Sequence, residues 1–143
     1  DLHLARSRLT NNELVCGRHV VSEISRTVDA AEAFAKGQWT SVGELMYSSH
    51  ESLQKDFRVS CDELDALVRI ACEIGLEGGV YGSRMTGGGF GGCIVTLVHS
   101  DCADAVRERI LTQYENETGV QGSSFASRPA LGAHLIKRNC NDN

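Results

Sequence analysis

The tightest constraint on this chain is a run of glycines. Residues 87–92, between Thr86 and Cys93, read Gly-Gly-Gly-Phe-Gly-Gly, five glycines in six positions. Glycine loses more backbone freedom on folding than any other residue, so such density is costly. It makes sense where the backbone takes positive φ values, or where a ligand or another segment approaches closely. Exposed amides in such a loop can also form an anion-binding nest. The full chain holds 15 glycines and one proline in 143 residues, which makes the cluster a local device.

Three readings of the loop compete. Gly87, Gly89 and Gly92 formally match G-x-G-x-x-G. A dinucleotide fingerprint needs a strand before the loop and a helix after it. Here an extended stretch over residues 80–86 runs through the loop into the apolar run Cys93-Ile94-Val95-Thr96-Leu97-Val98, so a strand follows. A Walker A loop fails because no Gly-Lys-Ser or Gly-Lys-Thr follows the glycines. The third reading is a glycine-rich hairpin that serves backbone packing alone, and spacing by itself leaves it open.

The rest of the chain supplies the setting. Residues 12–36 read as a long helix with Val21, Ile24, Val28, Ala31 and Ala35 on one face and Gly37 as its stop. A second helix spans 39–55, with Val42, Leu45, Met46, Ser49 and Leu53 on a stripe. Its start is ambiguous, since Ser41 and Glu44 fit a capping box while Trp39 fits the helix itself. Ser60 and Glu63 form the capping-box pattern of a third helix, with Leu64, Leu67, Val68, Ala71 and Ile74 inward and a left-handed Gly75 closing it. After the strand–loop–strand unit, Ser100 or Asp101 caps a fourth helix that buries Ala103, Val106, Ile110 and Tyr114 and ends at Gly119. Short strands at 123–127 and 132–137, with Pro129 at the turn, are expected to complete the sheet. The strand at 93–98 is apolar almost throughout and is expected to be central. Helices segregated from short antiparallel strands make an α+β domain, a small antiparallel sheet packed with helices.

Charge and cysteines narrow the function classes. A net charge of −5 without a Lys/Arg cluster argues against nucleic-acid binding. The longest strongly apolar run is too short for a membrane span. Cys16, Cys61, Cys72, Cys93, Cys102 and Cys140 show neither CxxC nor zinc-like spacing, so free thiols in a reducing cytoplasm are expected. His19 and His50 read as packing or capping residues, and Trp39, Met46 and Phe57 as core. His3, His99 and His134 have no evident partner.

The segment Arg84-Met85-Thr86-Gly87-Gly88-Gly89-Phe90-Gly91-Gly92-Cys93 resembles the third motif of the GHMP small-molecule kinases, in its galactokinase form. The resemblance continues in order through Arg18-His19-Val20-Val21-Ser22-Glu23-Ile24, Gly43-Glu44-Leu45-Met46, Ser49-His50-Glu51-Ser52-Leu53, Val59-Ser60-Cys61-Asp62-Glu63-Leu64-Asp65, Gly79-Val80-Tyr81-Gly82 and Pro129-Ala130-Leu131-Gly132-Ala133. It covers about residues 13–136. Cys16-Gly17 departs from the basic and alanine residues more usual there.

The resemblance implies a single ferredoxin-like GHMP C-terminal domain over residues 1–143, with the N-terminal sugar- and ATP-binding domain outside the chain. It implies a parent enzyme that uses ATP and Mg²⁺ to phosphorylate the C1 hydroxyl of galactose. Catalytic residues are expected in the missing part, and the chain alone is expected to be inactive and to hold no cofactor tightly. Residues 84–92 (Arg84, Met85, Thr86, Gly87, Gly88, Gly89, Phe90, Gly91, Gly92) are expected to support the phosphate loop. Thr86 is a candidate donor to the loop, and Arg84 faces either the cleft or a carboxylate. Galactose and ATP are the expected partners, with neither nucleic acid nor membrane, and with self-association through the exposed interdomain face. The alternatives are an N-acetylgalactosamine kinase and a non-catalytic regulatory relative.

Overall fold

The computed structural model describes residues 6–129. Among them, four helices and one hairpin form the main elements: α1 (Asn11–Ala35), α2 (Trp39–Ser52), α3 (Asp62–Ile74), β1 (Val80–Thr86), β2 (Cys93–Val98) and α4 (Ala103–Thr118). The order as far as α4 and the α+β class agree with the sequence reading.

The helix ends show where local chemistry was read correctly and where it was not. Thr10, not an expected cap, closes a capping box with Glu13 and starts α1. Helix α2 begins at Trp39, with Gln38 as its cap. The box expected at Ser60 is absent: Cys61 is the cap of α3, and the Ser60 hydroxyl donates to Asp65 instead. Gly75 has the expected positive φ of 59°, but its ψ of −169° turns the chain extended, not left-handed helical. Residues 100–102 form a single 3₁₀ turn before α4, and Gly119 ends that helix in the left-handed region.

Two small cores hold the elements together. Ile70, Ala71 and Ile74 of α3 meet Val80 of β1 and Val106, Ile110 and Tyr114 of α4. Nearer the glycine loop, Met85 packs on Leu53 and Leu64, flanked by Val59, Cys61 and Ile94. Each fully buried aliphatic side chain contributes about 1.5–3 kcal/mol, so Met85 and Leu64, at 0% and 1% exposure, anchor the hairpin firmly.

Three expectations are corrected. The α1 stripe does share one face, but that face looks outward: Val21, Ile24 and Val28 are 56%, 64% and 56% exposed. The opposite face carries His19, Glu23 and Arg18, which find polar partners on α2 and just after it. His19 Nδ1 lies 2.9 Å from Ser52 Oγ, Ser49 Oγ donates to Glu23 at 2.6 Å, and Arg18 pairs with Asp56. A buried polar group must be paired, and that demand orients the helix. Second, the strand expected at 123–127 does not form, so among the described residues β2 has one neighbour. It pairs only with β1 in a two-stranded antiparallel sheet, and 123–127 is irregular. The strand expected at 132–137 lies outside the described residues. Third, Trp39 and Phe57 are half-exposed: Trp39 meets Phe34 edge-on, and Phe57 stacks on His19 at 4.6 Å.

Helix α2 lies along β1, and the contact is made by backbone. A Cβ on Gly43 would fall 1.8 Å from the Tyr81 carbonyl oxygen, and one on Gly82 would fall 2.3 Å from Gly43 Cα. Beyond α2 the chain widens into a π-helical turn, Leu53–Phe57, closed by Arg58 in the left-handed region.

Candidate functional site

The hairpin register runs from Val80↔Val98 through Met85↔Ile94 to Thr86↔Cys93, and the six loop residues project beyond that last pair. Gly87, Gly89, Gly91 and Gly92 all have φ between 85° and 131°, and Phe90 joins them at φ 60°. Positive φ explains four of the five glycines, all but Gly88, without any ligand.

One point ties the loop to the domain. Phe90 N–H donates to the Val59 carbonyl at 2.7 Å, and a Cβ on Gly89 would stand 2.1 Å from that oxygen. The backbones of the loop and of the segment after the π turn therefore touch at Gly89. By contrast, a Cβ at Gly87, Gly88, Gly91 or Gly92 would meet nothing within 4 Å. Among the described residues, no other amide of 87–92 donates to a backbone carbonyl outside the strand ladder. One side of the loop is anchored; the other presents bare backbone. Phe90 stands on the surface at 75% exposure.

The strand below the loop is gripped by side chains. Met85 N–H donates to His50 Nδ1 at 3.3 Å, and His50 Nε2 lies 3.3 Å from Asp65 Oδ1. Asp65 also accepts from Ser60 and Gln54. Burial pushes His50 below the ordinary histidine range; the Asp65 carboxylate opposes this shift and the Arg84 charge adds to it. Arg84 resolves its two expected orientations: Nε donates to the Met85 carbonyl at 3.1 Å, and NH1 reaches toward Glu23 of α1 at 3.8 Å. Burial lowers the Arg84 pKa from its usual value. Thr86 is exposed, and its hydroxyl makes no hydrogen bond among the described residues.

The residues expected to act together, 84–92, are thus contiguous but divided in task. Met85 is buried and Arg84 half-buried, whereas Thr86 and most of the glycines face out. Sequence reasoning missed His50, Asp65, Glu23 and Val59 as the residues that hold them. Among the described residues, no group of three or more His, Cys, Asp or Glu side chains gathers to hold a metal, and no helix is long and apolar enough to cross a membrane. Cys16, Cys61, Cys72, Cys93 and Cys102 are free thiols.

Residues 30–116 match the family described as "GHMP kinases C terminal". The solved structure of Lactococcus lactis galactokinase complexed with galactose is similar at 40% identity and a TM-score of 0.72, over 78% of this chain and 28% of that one. The structure of L. major mevalonate kinase in complex with R-mevalonate aligns at 23% identity and a TM-score of 0.58, over 82% of this chain and 32% of that one, and shares the fold. The chain therefore spans under a third of either solved kinase.

Proposed function

The chain belongs to the GHMP kinase C-terminal family, and on that premise we propose that it is the C-terminal part of a galactokinase. The parent enzyme transfers the γ-phosphate of Mg-ATP to the C1 hydroxyl of galactose. The observation that carries this reading is the bare outer side of the loop at Gly87, Gly88, Gly91 and Gly92, in a chain 40% identical over its matched part to a galactokinase. The matches give no support to an N-acetylgalactosamine kinase or to a purely regulatory module.

Phosphoryl transfer is achieved mainly by positioning and electrostatics, so a supporting loop matters without forming covalent bonds. Bare glycine backbone lets a second backbone or a phosphate approach, and unpaired amides suit phosphate oxygens. The residues present fit contact with the phosphate end of ATP. We assign Mg²⁺ to the nucleotide phosphates and to the rest of the parent enzyme. No catalytic residue is assigned to this chain.

The outward stripe of Val20, Val21, Ile24 and Val28 on α1 carries no charge, and we assign it to the interdomain face. In the chain alone, the same stripe would pair with its counterpart on a second copy, since a twofold contact joins like to like. The protein is expected to work in the cytoplasm.

The test is galactose 1-phosphate formation from ATP and galactose. The 143-residue chain should form none, and the chain joined to the N-terminal part of its parent should form it. Turnover by the chain alone, or a joined enzyme inactive on galactose, overturns the reading.

A further inference from the structure

We propose that His50 is a positioning residue for the glycine loop, bridging Asp65 of α3 to the Met85 amide, one residue before the end of β1. The enzymatic consequence rests on the function proposed above; the mechanical claim does not.

The geometry defines the protonation of the ring. Met85 N–H donates to Nδ1, so Nδ1 carries no proton. In the neutral imidazole the N–H is then on Nε2, facing Asp65 Oδ1 at 3.3 Å. Asp65 is itself held by Ser60 and Gln54, from the two ends of the segment between α2 and α3. His50 is only 7% exposed, which leaves its ring little freedom to turn. The Met85 carbonyl is held by Arg84 Nε, so side chains grip both sides of this residue's backbone. Gly43 makes the reach possible. It lies about two helical turns before His50 on the same side of α2, and its missing side chain seats the helix on β1 at Tyr81.

The bridge works only while His50 is neutral. A protonated ring carries a hydrogen on each nitrogen, and Nδ1–H then confronts Met85 N–H. The charged groups that face the ring are Asp65 from α3 and Arg84 from β1, with Glu23 of α1 behind Arg84 at 3.8 Å. Asp65 would keep its contact with a charged ring, so protonation releases the loop end of the bridge and spares the helix end.

The first measurement needs no enzyme activity. In the 143-residue chain, nitrogen NMR of His50 should show a bare Nδ1 and a protonated Nε2 at neutral pH. Amide exchange at Met85 and Phe90 should then be compared with exchange at Ile110 of α4. His50→Phe keeps a ring and removes both contacts. It should speed exchange at Met85 roughly tenfold, the order carried by one lost hydrogen bond, and leave Ile110 unchanged. His50→Asn restores an acceptor near the Nδ1 position and should recover most of the protection. If His50→Phe does not fold, the unmodified chain supplies the test. Exchange at Met85, corrected for its intrinsic pH dependence, should rise as the His50 ring protonates. A ring that titrates with no change at Met85, or a His50→Phe chain with unchanged Met85 exchange, overturns the proposal.

The second measurement uses the chain joined to its N-terminal part. His50→Phe should lower kcat with little change in KM for galactose, and His50→Asn should recover most of the loss. If Met85 exchange responds but kcat does not, the bridge stands and the loop's part in phosphoryl transfer fails.

Discussion

Gly43 of α2 sits directly on Gly82 of β1, with 2.3 Å between a Cβ built on Gly82 and the Gly43 Cα. Neither atom can move without shifting a whole backbone element. Gly43→Ala and Gly82→Ala should therefore each cost at least about 3 kcal/mol, the upper part of the overpacking range. Urea unfolding of the chain checks this through a lowered midpoint. A midpoint within error of the parent chain would show that the helix lifts off the strand freely.

Gly88 and Gly89 are neighbours with opposite demands. Gly89 needs positive φ and touches the Val59 carbonyl, while Gly88 has open space and no such φ. In this chain Gly89→Ala should cost more than about 1 kcal/mol, whereas Gly88→Ala should be neutral or stabilise by about 0.4–1 kcal/mol. In the joined enzyme, Gly88→Ala should lower kcat at least severalfold if a phosphate or a second backbone lies against that open side. Equal stability losses in the isolated chain would contradict the first claim; full activity of joined Gly88→Ala would contradict the second.

Stability should fall with acid before the carboxylates titrate. Burial lowers the pKa of both His19 and His50 below the ordinary histidine value of about 6.5. At His19 the Arg26 and Arg84 charges also lower it, and Asp56 opposes them. A depressed histidine is neutral in the folded chain and binds its proton more readily when unfolded. Its contribution is therefore complete above about pH 6.5 and is lost as pH falls through the lower folded value. Urea midpoints at pH 7.5, 6.5 and 5.5 should decline in that order, and His19→Gln should flatten the decline. A flat profile in the unmodified chain would remove the premise.

The α1 stripe should be dispensable for folding. Ile24 is 64% exposed, so Ile24→Ser should change stability by no more than about 0.5 kcal/mol, the range for surface substitutions. The same change should reduce the concentration-dependent mass of the isolated chain in sedimentation. Unfolding by Ile24→Ser, or a strictly monomeric parent chain, would count against an interdomain or self-pairing face.

Legibility in the sequence followed the range of the interactions. Helices α3 and α4 and the hairpin were readable because their signals are local: Leu64, Val68, Ala71 and Ile74 recur at helical spacing, and all are buried. The face of α1 was misread because periodicity finds a stripe without saying what lies against it. His19, Ser52, Ser49 and Glu23 decided that question through contacts between helices. The loop was visible as glycine, but its supports were not. His50 meets Met85 across 35 positions, and its partner there is a backbone amide, which leaves no mark on side-chain chemistry. Gly89 and Val59 likewise meet main chain to main chain. The box expected at Ser60 is absent because the helix starts one residue later, with Cys61 at the cap position.

The π turn Leu53–Phe57 acts as a spacer between two instruments that must agree. Upstream, α2 places His50; downstream, Val59 takes Phe90 N–H after donating its own N–H to Leu53 at 3.0 Å. Each residue of a helical turn rotates the chain about the helix axis. Removing one residue from the turn would swing Val59 away from the loop while leaving His50 where it is. The residue count of this segment, more than the identity of a surface position such as Lys55, therefore sets the height at which the glycine loop stands.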